Sequence, residues 1–291
     1  MTDIEIPDIE ILSGTACALG ESTLWDPETA RVHWVDIIGA RIYTLDWATR
    51  ATTTLELPEP VGSVALRSGG GLVAALRHSV VFCDVDDGTV SLVHELEETQ
   101  PGNRFNDGAV DPAGRFWFGS MDLAEKEPSG SFYCLRPDLT VSRAFGGIIC
   151  SNGPAWSPDG ATMYHVDSTR RLIAAYDFDL ATGEVGTGRA FVTDEDRPWY
   201  PDGVTVDAEG FIWNCKWDGG RIVRYAPDGS VDRVVTVPVP RPTRCAFVGP
   251  DLDLLAVTSA FTGLADPPPD SGKTLLLDPG VRGLPPARFA G

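Results

Sequence analysis

The stretch AVDPAGRFWFGS, residues 109–120, carries a complete β-hairpin signal. In Asp111-Pro112-Ala113-Gly114 the proline presets φ for the second turn position, and the glycine supplies the positive φ that closes the turn. Phe116-Trp117-Phe118 then runs on as an aromatic strand. Five other stretches follow the same plan: STLWDPETARVHWVD from Ser22, VALRSGGGLVAAL from Val64, AWSPDGATMYHVD from Ala155, VTVDAEGFIWNCKW from Val204 and AFVGPDLDLLAVTS from Ala246. Their starts lie roughly 42 to 49 residues apart. A second hairpin follows within the unit, as in ARIYTLDWATR, GSFYCLRPDLT, RLIAAYDFDLATGEV and RIVRYAPDGSV. Four strands at that period make a propeller blade. The spacing therefore predicts an all-β fold, a six-bladed β-propeller with four-stranded antiparallel blades, as a single domain over residues 1–291. A β-sandwich or two small barrels would also use short strands. Six even copies favour a closed ring, in which stacked blades hide their faces and leave few open edges. The tail after Phe261, with DPPPD, predicts a surface loop ahead of the closing strand.

Composition narrows the class of partner. With 31 glycines and 23 prolines among 291 residues, the chain turns often. A formal charge of −19 argues against nucleic acid, which needs clustered Lys and Arg, and against anionic membrane surfaces. An acidic surface also favours a monomer. The N-terminal MTDIEIPDIE has neither the basic segment nor the apolar core of a secretory signal, and no apolar run is long enough to span a bilayer. Cys17, Cys83, Cys134, Cys150, Cys215 and Cys245 are scattered without a C-x-x-C pair, which predicts reduced, buried thiols in a cytoplasmic protein.

In a propeller, residues just before the innermost strands converge on the axis from distant parts of the chain. Glu21, the run Asn103-Arg104-Phe105-Asn106-Asp107-Gly108, Ser151-Asn152-Gly153-Pro154 and Tyr200-Pro201-Asp202-Gly203 all hold that position. Each alone is an ordinary turn sequence. Taken together, Glu21, Asn152 and Asp202 offer three oxygen donors and a summed charge of −2, which suits a hard divalent cation completed by water.

The stretches LGESTLW, NRFNDGAVDPAGRFWFGSMD, SNGPAWSPDGATMYHVDS, YPDGVTVDAEGFIWNCKWDGGRIVRYAPDG and PTRCAFVGPDLDLLAVTSA run from about Leu19 to Ala260. In combination they resemble the senescence-marker-protein/gluconolactonase/regucalcin-like family of propellers. The resemblance implies one divalent metal ion (calcium, zinc, manganese or iron(II)) held by Glu21, Asn152 and Asp202. It implies Asp202 as general base, with Arg104 and Asn106 as substrate-binding residues. Glu125 falls near a substrate-contacting glutamate of some members. The implied reaction is hydrolysis of a small-molecule sugar lactone, of the gluconolactone, xylonolactone or arabinonolactone type, to its aldonic acid. Two departures stand out. Ser22-Thr23 replaces the Gly-Pro that often follows the first glutamate in the family. Asn214-Cys215-Lys216-Trp217-Asp218 replaces small residues before Gly219-Gly220, and Lys216 with Asp218 reads as a solvated pair.

Other signals lead to structure rather than chemistry. Asp84-Val85-Asp86-Asp87-Gly88 has its glycine at the fifth place, not the sixth that a calcium loop needs, and reads as a hairpin turn. His33, His78, His94 and His165 lack zinc-ligand spacing, although His165 has a path to the pocket from the fourth blade. No G-x-S-x-G elbow is present, and Gly69-Gly70-Gly71 is not followed by Lys-Ser/Thr. Two other readings compete with the sugar lactonase: a hydrolase of other lactones or esters, and a calcium-binding regulatory propeller or binding platform.

Overall fold

Apolar runs in this chain are short and bounded by Gly, Pro and Asp, so each ends before a helix can propagate. The computed structural model describes residues 8–291, and no helix occurs among them. The first seven residues of the MTDIEIPDIE stretch lie outside this range. After a short strand β1 (Glu10–Ser13) the strands fall into sheets of four. Blade one is β2 (Gly20–Asp26), β3 (Arg31–Asp36), β4 (Arg41–Asp46) and β5 (Thr52–Glu56). Blade two is β6 (Val61–Leu66), β7 (Leu72–Leu76), β8 (Ser79–Cys83) and β9 (Val90–Glu95). Blade three is β10 (Asn103–Val110), β11 (Phe116–Asp122), β12 (Gly130–Leu135) and β13 (Val141–Ile148). Blade four is β14 (Ser151–Trp156), β15 (Thr162–Asp167), β16 (Leu172–Asp179) and β17 (Glu184–Thr193). Blade five is β18 (Tyr200–Val206), β19 (Ile212–Trp217), β20 (Arg221–Tyr225) and β21 (Val231–Thr236). Blade six is β22 (Pro242–Val248), β23 (Leu254–Ser259) and β24 (Thr274–Leu277), completed at its rim by β1.

The expected six-bladed propeller is therefore present, and its ring closes through a device the repeat did not reveal. β24 follows the predicted loop but is the third strand of its blade. The outermost strand comes from the other end of the chain, Glu10 pairing with Leu276 and Ile11 with Leu275. Strands β2, β6, β10, β14, β18 and β22 contact one another around the axis. Burial falls from axis to rim: β2 and β14 are almost wholly buried, whereas β5 and β17 are largely exposed. Between blades lie apolar layers, such as Trp117 of blade three set edge-on to Phe178 of blade four with ring centroids 5.7 Å apart, each such pair worth about 0.5–1.5 kcal/mol beyond its buried area.

The turns of blades three and five share one fastening. Asp111 accepts from the N–H groups of Ala113 and Arg115 and from Trp117 Nε1, and it pairs with Arg115. Asp207 repeats this with Glu209, Phe211, Trp213 Nε1 and Arg224. Beyond β24 the chain lies across the far end of the ring. Arg282 and Gly283 bond to Ala208 and Leu252, and Phe289 and Ala290 bond to Leu66 and Gly114. The Asp84–Gly88 segment is a hairpin turn between β8 and β9, as its misplaced glycine predicts.

Candidate functional site

All six innermost strands shift register near their first residues, between Glu21 and Leu24, Val61 and Ser63, Phe105 and Gly108, Asn152 and Ala155, Pro201 and Val204, and Pro242 and Cys245. A bulge breaks the strict alternation of a strand and re-aims side chains that would otherwise enter the inter-blade layers. The site residues thus lie within the innermost strands, at these bulges, and not just before the strands as the repeat phase predicts. Blade two contributes backbone proximity only. A Cβ on Gly62 would stand 2.4 Å from the Asn106 carbonyl oxygen, so glycine is required there for β6 to approach β10.

A cavity of about 200 Å³ opens at this end of the axis. Glu21, Arg104, Asn106, Glu125, Asn152 and Asp202 all line it, beside Tyr200 and Trp217. Every residue that the family resemblance assigns to the metal or the substrate therefore reaches one place. Their hydrogen bonds form a chain: Arg104 Nη1 donates to Asn106 Oδ1, and Asn106 Nδ2 donates to Asn152 Oδ1 at 3.0 Å. Asn152 Nδ2 in turn donates to Ser168 Oγ at 2.9 Å, which fixes the amide with its oxygen toward Asn106. Glu125 is exposed at the rim. Its turn is pinned by Asp122 Oδ2, which accepts from the N–H groups of Lys126 and Glu127.

Glu21 and Asp202 are buried, at 5% and 6% exposure, and among the described residues neither has a cationic partner within salt-bridge distance. Burial first, then the charge of Asp107, pushes the Glu21 carboxyl up to about 8. Burial, then Glu21 and Asp107, raises Asp202 well above the carboxylate range. Two carboxyls this desolvated and this close resist ionising together unless a cation joins them. Among the described residues no three His, Cys, Asp or Glu side chains gather as a metal-holding group. A donor set here is necessarily mixed, two carboxylates with the Asn152 amide oxygen, which suits an oxygen-loving dication. On that chemistry the residues fit a metal ion.

Ser22 takes the place of the family's glycine in the left-handed conformation, φ 52°. Its hydroxyl accepts from Val64 N–H at 2.9 Å, a tie to blade two that a glycine lacks. Lys216 and Asp218 are not a solvated pair. Lys216 is fully buried and bonds Asp194 at 2.6 Å, while Asp218 pairs with Arg241. Strand β19 ends at Trp217, and Asp218 sits at φ 60°, so the chain turns the two side chains apart. His165 does not line the cavity. It bonds Ser151 Oγ and packs edge-on against Phe132 and Phe145. All six cysteines are buried free thiols.

Two charged residues of the axis carry no role in the sequence pattern, Asp107 being only one member of the Asn103–Gly108 run. Asp107 follows Asn106, and Arg244 stands at the bulge of blade six; the two form a buried ion pair. Their shared bulge phase is the signal that marks them.

Fold and cavity define a six-bladed propeller with an acid–amide cluster on its axis. The chain belongs to the SMP-30/Gluconolactonase/LRE-like family, whose model matches residues 19–261. It is 35% identical to the regucalcin of Xenopus laevis over 294 residues, 97% of this chain and 98% of the relative. The solved structure of the calcium-binding protein regucalcin from Agrobacterium tumefaciens superposes with a TM-score of 0.94 at 31% identity, covering 99% of each chain. A gluconolactonase structure from Xanthomonas campestris, 21% identical over 94% of this chain and 91% of its own, shares the fold with a TM-score of 0.74. The names of these relatives place a lactonase-type role and a calcium-binding role within the family. No helix among the described residues is long and apolar enough to cross a membrane.

Proposed function

We propose that the chain hydrolyses a sugar aldonolactone to the aldonic acid, with one divalent cation held by Glu21, Asn152 and Asp202. The observation that carries this reading is the pair of buried carboxyls, without a salt-bridge partner among the described residues, that share one cavity with Arg104 and Asn106. When bound, the cation supplies Lewis-acid stabilisation of the negative charge that develops on the lactone carbonyl oxygen. Asp202 takes the proton of the attacking water. Asn106, held between Arg104 and Asn152, keeps the amide oxygen of Asn152 in place. Arg104 spends Nη1 on Asn106 and the Phe105 carbonyl, and its other N–H groups meet substrate hydroxyls. Glu125, at the rim, accepts from a further hydroxyl. The anionic product leaves a cavity whose acids repel it. The buried free thiols fit a reducing cytoplasm.

The test is proton release from a panel of lactones, corrected for spontaneous hydrolysis, before and after exhaustive chelation. Polyhydroxylated lactones should turn over fastest, and activity should vanish on chelation and return with added dication. Turnover that survives metal stripping would remove the ion from the reaction. Preference for lactones or esters without hydroxyls would favour the broader hydrolase, and cation binding without turnover of any lactone would favour the regulator suggested by the name regucalcin. Arg104→Lys should raise KM for a sugar lactone by about 10- to 100-fold, the worth of one charge-assisted hydrogen bond, while kcat changes little. A KM unchanged in this variant would place Arg104 outside substrate binding.

A further inference from the structure

Blades three and six stand opposite each other in the ring, and a single ion pair spans the axis between them. Asp107, on β10, receives Arg244 Nη1 from β22, and it also accepts from the N–H groups of Gly108 at 2.7 Å and Gly153 at 3.0 Å. Burial raises the Asp107 carboxyl above its ordinary range, and Arg244 and these two N–H groups oppose that rise. The seat for Arg244 is built into blade five. A Cβ on Gly203 would lie 2.8 Å from both Cβ and Cγ of Arg244, so only glycine lets the arginine stem pass. A second cavity of about 200 Å³ lies farther along the inner strands, lined by Arg244, Trp25, Trp156, Val206 and Phe247 and covered by the tail at Leu284–Ala287. Arg244 lines this second cavity, and neither member of the ion pair lines the first.

Without Arg244 the axis would hold three buried carboxyls, Glu21, Asp107 and Asp202, with the charge of Arg104 bearing on Glu21 and Asp202. We propose that Arg244 is a positioning residue that occupies, as a tethered cation, the place a second metal ion would take beside Asp107, and so sets the charge facing the bound dication to that of Glu21 and Asp202 alone. This rests on the reading of Glu21, Asn152 and Asp202 as cation ligands. Arg244 hydrogen-bonds to none of those three; it pairs with Asp107, and the charges of both residues bear on Glu21, as that of Asp107 does on Asp202.

The consequence is a ladder of charge at a fixed site, tested with Mn²⁺ on the full chain by equilibrium dialysis at low ionic strength. Relative to the wild type, R244M adds one negative charge, D107N removes one, and D107N/R244M restores the balance. Mn²⁺ affinity should follow that order, with steps of about tenfold or more, since unit charges in a low-dielectric channel interact strongly. R244M should take up more than one equivalent, while the wild type and the double variant take up one. Should R244M fail to fold, D107N against the double variant carries the comparison, because these two differ only in the cation. Equal affinity across the folded variants, with one equivalent bound by the wild type, overturns the role of Arg244 and leaves the ligand reading intact. No Mn²⁺ uptake by any of them overturns the ligand reading itself, and the role of Arg244 with it.

Discussion

Asp202→Asn is expected to lower kcat/KM for aldonolactone hydrolysis by about 10²–10⁴-fold, the usual contribution of a general base, and added dication should not restore it. The substitution keeps an oxygen donor and nearly the same shape but removes the proton acceptor. Glu21→Gln serves as its control. It too loses one carboxylate charge from the same cavity, so its cation affinity should fall, but its rate should recover as the dication is raised to saturation. The contrast separates holding the ion from taking the proton. The position of Asp202 supports the base assignment: it lies at the bulge of β18, with Tyr200 and Trp217 beside it on the cavity wall. Recovery of Asp202→Asn at saturating dication would reduce Asp202 to a ligand and require another base.

Much of this site was legible because a propeller repeats its geometry with its sequence. Glu21, Asn152 and Asp202 occupy equivalent places in their units, and a residue type that recurs in phase must recur in direction. What phase could not show was the bulge. From sequence, Asn106 and Asp107 are neighbours in a single motif; in the fold one faces Asn152 and the other Arg244. Arg244 was hidden for a related reason, since an arginine beside a cysteine in an apolar strand carries no motif of its own. Lys216 and Asp218 are two residues apart in sequence but not paired in space, and the partner of Lys216, Asp194, lies at the end of blade four. Ring closure by β1 was illegible because its four residues, EILS, show neither a turn nor a repeat partner. The turns, by contrast, were fully readable: Pro and Gly impose backbone angles locally, and tertiary contacts need not be known.

The largest stability effect is expected from Asp111→Ala, a loss of about 3–5 kcal/mol, read as a lower urea midpoint, with thermal unfolding lowered by roughly 5–8 °C for a chain of this length. Asp111 is fully buried and gathers two turn N–H groups, the Trp117 indole and the Arg115 guanidinium. Its removal leaves Arg115, itself only 5% exposed, with the Leu180 carbonyl as its remaining partner, and a buried cation without a counter-charge costs far more than the pair contributes when intact. Asp207→Ala tests that cause, because it deletes the same turn bonds and the same indole contact in blade five. There the stranded arginine, Arg224, keeps Glu209 at 2.6 Å and Asp232 at 2.8 Å. The blade-five variant should therefore lose less, by about 1–2 kcal/mol, the difference between an unpaired and a partly compensated buried charge. Equal losses in the two variants would assign the cost to the turn and the indole, and would remove the arginine from the account.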